Sequence, residues 1–367
     1  MAAADLREEL FTVGHRSGIE VMGVARAEVF ASTRRHLKQR RAEGLHGGMH
    51  FTYGDPDRST DPGRALARAR SLVVGASGYR RQPPPRPATP SGRVARYSWD
   101  DPYTPLRTGL ENVADVLRGR GWAARVLVDD NALVDREAAY RAGLGWYGKN
   151  TVLLLPGRGS WFVLGSVVTD APLASDTVPV ADGCGSCTRC LAACPTGALV
   201  APGVLDARRC LAWLLEAPGP FPLEHRRALG DRVYGCDDCQ DVCPFNRTIE
   251  RRHPRPPRQA DEAWVDLVEM LALDDDALLE RFGRWYVPRR QPRYLRRNAL
   301  VALGNVGDGA DPRVVKALES ALRSDDPLVR SHAVWACRAL GRPDLLEALG
   351  GEEDPSVRAE LAGTRGG

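Results

Sequence analysis

Eight of the nine cysteines fall between Cys184 and Cys243, at spacings suited to iron. The run Cys184-x2-Cys187-x2-Cys190-x3-Cys194-Pro195 is the bacterial ferredoxin pattern, in which three thiolates hold one cubane and the fourth serves a second. The partner half is stretched: Cys210 comes first, then Cys236-x2-Cys239-x3-Cys243-Pro244. Cross-ligation assigns Cys184, Cys187, Cys190 and Cys243 to one 4Fe-4S cluster, and Cys194, Cys210, Cys236 and Cys239 to another. Two four-cysteine zinc sites are the rival, because they also accept Cys-x2-Cys pairs. The x2-x2-x3-Pro run is the more specific signal. Such crowding in a reducing compartment reads as metal rather than disulfide. Cys337 stands apart on an apolar helical face and reads as an inert core thiol. Clusters only carry electrons, so the residues that use them must lie elsewhere.

Upstream, Arg125-VLVDDNALVDREAAY offers three carboxylates. Asp129 stands at the carboxyl end of a predicted strand, where α/β folds place their sites. Asp130 reads as solvated. Asp135 precedes a helical stretch with Glu137 in its first turn, which reads as an N-cap. The segment Ala142-GLGWYGKN is glycine-rich, so its backbone can approach a flat ligand, with Trp146, Lys149 and Asn150 at hand. Downstream, Arg281 to Arg297 (RFGRWYVPRRQPRYLRR) holds seven arginines, four aromatics and no acid. Arginines contact phosphates and aromatics stack on unpaired bases, so this stretch reads as an RNA groove through Arg289, Arg293, Arg296 and Arg297. The bland alternative is a solvated linker whose aromatics pack beneath the following repeat.

These residues need a scaffold of more than one domain: 367 residues exceed a single ordinary fold. A composition 43% hydrophobic and 27% charged excludes wholesale disorder. No apolar run approaches a membrane span, and the start MAAADLREEL carries acids where a signal peptide is apolar, so a cytoplasmic protein is expected. The net charge of +4 is too mild to demand a polyanionic partner by itself. The expected class is multidomain α+β. Residues 1–180 form an α/β domain with a mixed sheet built from apolar runs after Arg70, Arg125, Thr151 and Trp161. The proline-rich stretch after Tyr79 is a surface loop or lid. Residues 181–250 form a ferredoxin-like domain, and 251–285 a proline-marked linker with helical connection. Residues 286–367 form a helical repeat of HEAT type, since Arg296-RNALVALGNVG and Arg330-SHAVWACRALG superimpose at an offset of 34 and Asp326-PLVR recurs as Asp354-PSVR.

Taken together, Gly44-LHGGM, Asp129, Ala142-GLGWYGKN, Asp182-GCGSCTRCLAACPTGAL, Leu205-DARRC, Tyr234-GCDDCQDVCPFN and Arg297-NALVALGN resemble the epoxyqueuosine reductase family. The resemblance implies a cobalamin enzyme with two 4Fe-4S clusters that converts epoxyqueuosine to queuosine at the wobble position of tRNA. It implies an N-terminal domain that holds base-off cobalamin, and a helical repeat that helps bind the anticodon stem-loop. The family's acid maps onto Asp129, and cobalamin contacts onto Arg58, Tyr103, Asp129, Gly145, Trp146, Lys149 and Asn150. Where the family usually has a histidine after the tyrosine, this chain has Thr104. An external low-potential electron donor and a monomeric state complete the expectation. The alternatives are a corrinoid reductase of a small molecule, akin to reductive dehalogenases, and a non-catalytic electron-transfer module.

Overall fold

The computed structural model describes residues 3–175, 180–258 and 262–363. The chain divides into two compact units that do not follow the blocks read from sequence. One comprises residues 1–82, 100–208 and 238–256, the other 83–99, 209–237 and 257–367. The units do part at 256/257, inside the proline-marked linker expected from residue 251, but not near 180 or 285. The reason is that sheet partners come from distant segments, which composition along the chain cannot reveal.

The first unit is built on a four-stranded sheet in the order Val21–Arg26, Ser71–Gly78, Phe162–Thr169, Ala124–Val128. Every pairing in it is antiparallel, so the mixed sheet expected here is corrected. Strands 71–78 and 124–128 do run the same way, joined through the helix Tyr103–Gly119, but strand 162–169 fills the place between them. Hydrophobic pattern marks strands; it does not say which later segment will separate two of them. The strand Val21–Arg26 was missed altogether. The run after Thr151 yields only Leu153–Leu154, paired with Trp146–Tyr147.

Helix Tyr103–Gly119 buries Leu106, Gly109, Leu110, Val113, Ala114 and Leu117, the single stripe that 3.6-residue periodicity puts on one face. It seats closely because Gly75 and Gly165 lie opposite each other in the ladder. A Cβ on Gly75 would lie 3.2 Å from Leu110, and one on Gly165 only 2.8 Å. Burying Leu110 there is worth about 2 kcal/mol.

In the second unit, strand Ser91–Val94 pairs in parallel with Arg232–Tyr234 and antiparallel with Trp264–Asp266. Its core continues into the helices Arg293–Val306, Pro312–Leu322, Pro327–Ala339 and Pro355–Ala362. Asp311, Asp326 and Asp354 each cap one of them by accepting from the backbone N–H two residues on, with proline opening the helix. Helices 293–306 and 327–339 start 34 residues apart, as the repeat predicts. Cys337 is fully buried and burial pushes its thiol up to about 12, as befits an inert core residue.

Candidate active site

Asp129 follows directly on the edge strand Ala124–Val128 of the first unit. Its φ of 51° is left-handed, a conformation uncommon outside glycine but one that aspartate tolerates. The residue is open to solvent on one side, yet the protein around it is dense enough for burial to raise its carboxyl above the usual range. Arg107 opposes that shift and Asp130 adds to it. From one turn into its helix, Arg107 also donates to the Val128 carbonyl at 2.5 Å, which fixes the strand end.

Six residues on, Asp135 begins the helix Asp135–Arg141, but the cap residue is Val134 and no side chain caps it. The N-cap reading of Asp135 is therefore corrected. Its Oδ1 is buried without a partner, and burial followed by the neighbouring Asp129 carries its carboxyl well above the ordinary value. Periodicity could not find this, because the pattern gives a helix start and not the direction of the first side chain. Asp130 does what a turn aspartate does, accepting from the Ala132 N–H at 2.8 Å.

Other segments converge on the same loop. Val134 N–H donates to the Ser59 carbonyl at 2.9 Å, joining it to the short helix Pro56–Ser59 that carries Arg58 with its side chain exposed. Arg136 reaches the Thr151 carbonyl at 2.8 Å, joining it to the glycine-rich segment. Tyr103 opens the helix that carries Arg107. Thr104 is occupied locally, its hydroxyl donating to Asp101 at 2.5 Å and its N–H to the same side chain at 3.1 Å.

The glycine-rich segment turns toward the cysteines. Lys149 Nζ donates to the Gly185 carbonyl at 2.6 Å and Asn150 to the Cys239 carbonyl at 3.3 Å. The Trp146 ring stands edge-on to Phe245 at 5.0 Å and blocks any Cβ at Gly183, while its buried Nε1 finds no acceptor. Gly145 is required for a reason other than approach to a flat ligand: a Cβ there would sit 2.0 Å from the Leu154 carbonyl. Cys184 and Cys187 both bear on the ionisation of Cys190 and of Cys243, so these four thiols share one neighbourhood. This is the grouping that cross-ligation requires. No three His, Cys, Asp or Glu among the described residues converge as a single metal ion would need.

In the second unit the arginine-rich stretch is only partly surface. Phe282 and Trp285 are core residues, Trp285 stacking on Tyr234 at 4.5 Å. Arg297 is fully buried, which overturns its reading as a phosphate contact. Its guanidinium donates to the carbonyls of Leu214, Leu215, Ala217 and Gly219 and to Asn298 Oδ1. It thus caps the C-terminus of the helix Leu211–Glu216. Arg293 pairs with Asp326 at 2.7 Å, and Arg296 with Asp275. Arg289, Arg290 and Tyr286 remain exposed.

Thiols grouped for cubanes serve to move single electrons, and joined to a raised carboxyl at a sheet edge they place this chain among the iron-sulfur oxidoreductases. Residues 183–246 match the family model of a 4Fe-4S double cluster binding domain, and residues 288–364 that of HEAT repeats. The chain is 34% identical to an epoxyqueuosine reductase of Bacillus subtilis over 98% of its own length and 95% of the relative's. It is 37% identical to one of Xanthomonas campestris over 91% and 95%. Among solved structures, an epoxyqueuosine reductase with a tRNA-Tyr epoxyqueuosine-modified stem loop superimposes with a TM-score of 0.89 at 34% identity, covering 98% of both chains. A Bacillus subtilis epoxyqueuosine reductase whose catalytic aspartate loop is swung out of the active site gives 0.87 at 33% identity, again over 98% of both. The chain belongs to the epoxyqueuosine reductase family. It is an oxidoreductase with an iron-sulfur double-cluster domain and a HEAT-repeat region, and no helix among the described residues is long and apolar enough to cross a membrane.

Proposed function

We propose that this protein reduces epoxyqueuosine to queuosine at the wobble position of tRNA in the cytoplasm, working as a monomer on electrons from an external low-potential donor. The observation that carries the reading is the raised carboxyl of Asp129, set at the strand edge where the Arg58, Tyr103 and 142–150 segments meet, in a chain alike over nearly its whole length to named epoxyqueuosine reductases. Removing an epoxide oxygen needs electrons at low potential and an acid for the departing oxygen. Asp129 is that acid: burial shifts its carboxyl in the direction that favours the protonated form, and a side open to solvent admits substrate.

The thiols of Cys184, Cys187, Cys190 and Cys243 suit one 4Fe-4S cluster, and Cys194, Cys210, Cys236 and Cys239 are assigned to the second. For cobalamin, the exposed Arg58, Tyr103 and the unpartnered Trp146 Nε1 offer polar groups to a corrin. When bound, cobalamin supplies a strongly reducing cobalt. Lys149 and Asn150 tie the segment that would hold it to the cysteine loops. Exposed Arg289, with Arg293 and Arg296 once their carboxylate partners yield, is the phosphate-contacting side for tRNA.

The test is a single turnover of reconstituted protein on epoxyqueuosine-tRNA, read by nucleoside mass spectrometry. Asp129→Asn keeps the side chain's shape without its proton, and is expected to bind cobalamin and tRNA normally while losing about a hundredfold to ten-thousandfold in rate. Near-normal turnover by that variant would show that another group is the acid.

A further inference from the structure

We infer that Asn246 is a positioning residue for the iron-sulfur site: its buried amide clamps the loop between Cys239 and Cys243 to the turn 155–160, and so fixes the backbone that presents the Cys243 thiol. This rests on the assignment of Cys243 to a cluster given above.

Asn246 lies in the first turn of the helix Pro244–Arg252 and is fully buried. A buried amide is costly unless its polar atoms are paired, and here both N–H donors and the oxygen are engaged. Oδ1 accepts from the Ser160 N–H at 2.7 Å, while Nδ2 donates to the Gln240 carbonyl and to Ser160 Oγ, each at 2.9 Å. Ser160 Oγ donates in turn to Gln240 Oε1 at 2.9 Å, so three buried side chains form one network. The amide cannot be reversed. Reversal would set NH2 against a backbone N–H and oxygen against a carbonyl.

The contacts on either side give the clamp its purpose. The Gln240 carbonyl that Asn246 holds also accepts the backbone N–H of Cys243 at 3.1 Å, so one oxygen links the amide to the cysteine's main chain. Opposite, Gly159 has a φ of 76° and leaves the space that Asn246 fills, since a Cβ there would sit 2.2 Å from Oδ1. Leu155 and Gly159 close that turn with backbone bonds in both directions, directly after the strand Leu153–Leu154 that pairs with Trp146–Tyr147. The same hairpin reaches the preceding cysteine, Asn150 donating to the Cys239 carbonyl at 3.3 Å. The segment that would hold cobalamin and the loop that supplies Cys243 are thereby kept in one frame. Partners that hold a ligand's backbone in this way govern how firmly the metal is retained.

The experiment uses the anaerobically purified, cluster-loaded protein and three uncharged variants. Asn246→Leu keeps the bulk of the side chain without its polar groups, and Gly159→Ala leaves Asn246 in the sequence but drives it from its place. Ser160→Ala removes the hydroxyl while sparing both bonds from Asn246 to backbone groups. Iron release to a chelator is followed with EPR of the reduced protein, which tells the two clusters apart, and with hydrogen exchange of residues 239–243. Asn246→Leu and Gly159→Ala are expected to release iron from the cluster of Cys184, Cys187, Cys190 and Cys243 about tenfold to a hundredfold faster than the wild type, with faster exchange in 239–243. Ser160→Ala is expected to stay close to the wild type. Wild-type release and exchange in Asn246→Leu overturn the proposal, as does a loss confined to the other cluster's signal. Release from Ser160→Ala as fast as from Asn246→Leu also overturns it, because packing rather than the amide would then be what matters. Should Asn246→Leu fail to fold, Gly159→Ala decides, and wild-type release there is the overturning result. Zinc in place of iron in the wild-type protein would overturn the cluster reading, while exchange in 239–243 would still decide the clamp.

Discussion

Lys149 and Gly185, 36 residues apart, are joined by a 2.6 Å hydrogen bond from ammonium to carbonyl. Gly185 lies between the thiols of Cys184 and Cys187, so the bond brings a cation to the cluster loop. A cation near a cluster favours the reduced, more negative state. Lys149→Met should therefore keep the iron content and lower the midpoint potential of the cluster held by Cys184. An anaerobic redox titration followed by EPR reads both, and an unmoved midpoint would show the ammonium to be screened by solvent.

Cys243 is distant in sequence from the Cys184 run but shares its neighbourhood, since Cys184 and Cys187 act on its thiol. Cys243→Ser should damage the cluster of Cys184, Cys187 and Cys190 and spare the one assigned to Cys236 and Cys239. Iron analysis and cluster-resolved EPR on the anaerobic protein check it. Loss of the other signal would refute cross-ligation here.

What the sequence made legible was the chemistry that spacing alone encodes. The cysteine run names its metal because cluster geometry sets the gaps, and the Asp-Pro repeat names its helices because cap and first turn are local. Side-chain direction was not legible. Asp135 and Arg297 both occupy places where pattern predicts surface, at a helix start and in an arginine-rich run, yet Asp135 buries a carboxyl oxygen without a partner and Arg297 is turned inward by carbonyls far away in sequence. Gly145 looked like a ligand-facing glycine for the same reason: the Leu154 carbonyl that demands it comes from a strand paired only in the fold.

Arg297 and Arg289 provide a matched pair. Arg297→Met would leave four carbonyls and the Asn298 amide oxygen in the interior without their donor, at a cost of about 3 kcal/mol or more. The expected result is a lower melting temperature with unchanged tRNA affinity per folded molecule. Arg289→Ala, at an exposed site, should leave melting unchanged within about 0.5 kcal/mol and weaken tRNA binding with a shallower salt dependence. Calorimetry and filter binding across a salt series separate the two effects.

His332 gives the second unit an acid-sensitive point. The ring is fully buried, its Nε2 accepting from the Phe221 N–H at 3.0 Å and its Nδ1 donating to the Leu328 carbonyl at 2.7 Å. Protonating Nε2 would set one donor against another, beside Arg226. Burial first, then that arginine, lowers its pKa from 6.5 to about 3. The unfolded chain binds a proton below 6.5 and the folded chain does not until about 3, so the unfolded state gains protons first as pH falls. Stability contributed by the neutral ring is complete above 6.5 and is lost at about 1.4 kcal/mol per pH unit below it. His332→Gln removes the proton site, although it sacrifices part of the hydrogen bonding at neutral pH. Its melting temperature should start lower and fall less steeply between about pH 6.5 and about pH 4.5 than that of the wild type. Anaerobic melts across that range measure the two slopes, and parallel slopes would show that His332 does not govern the acid response.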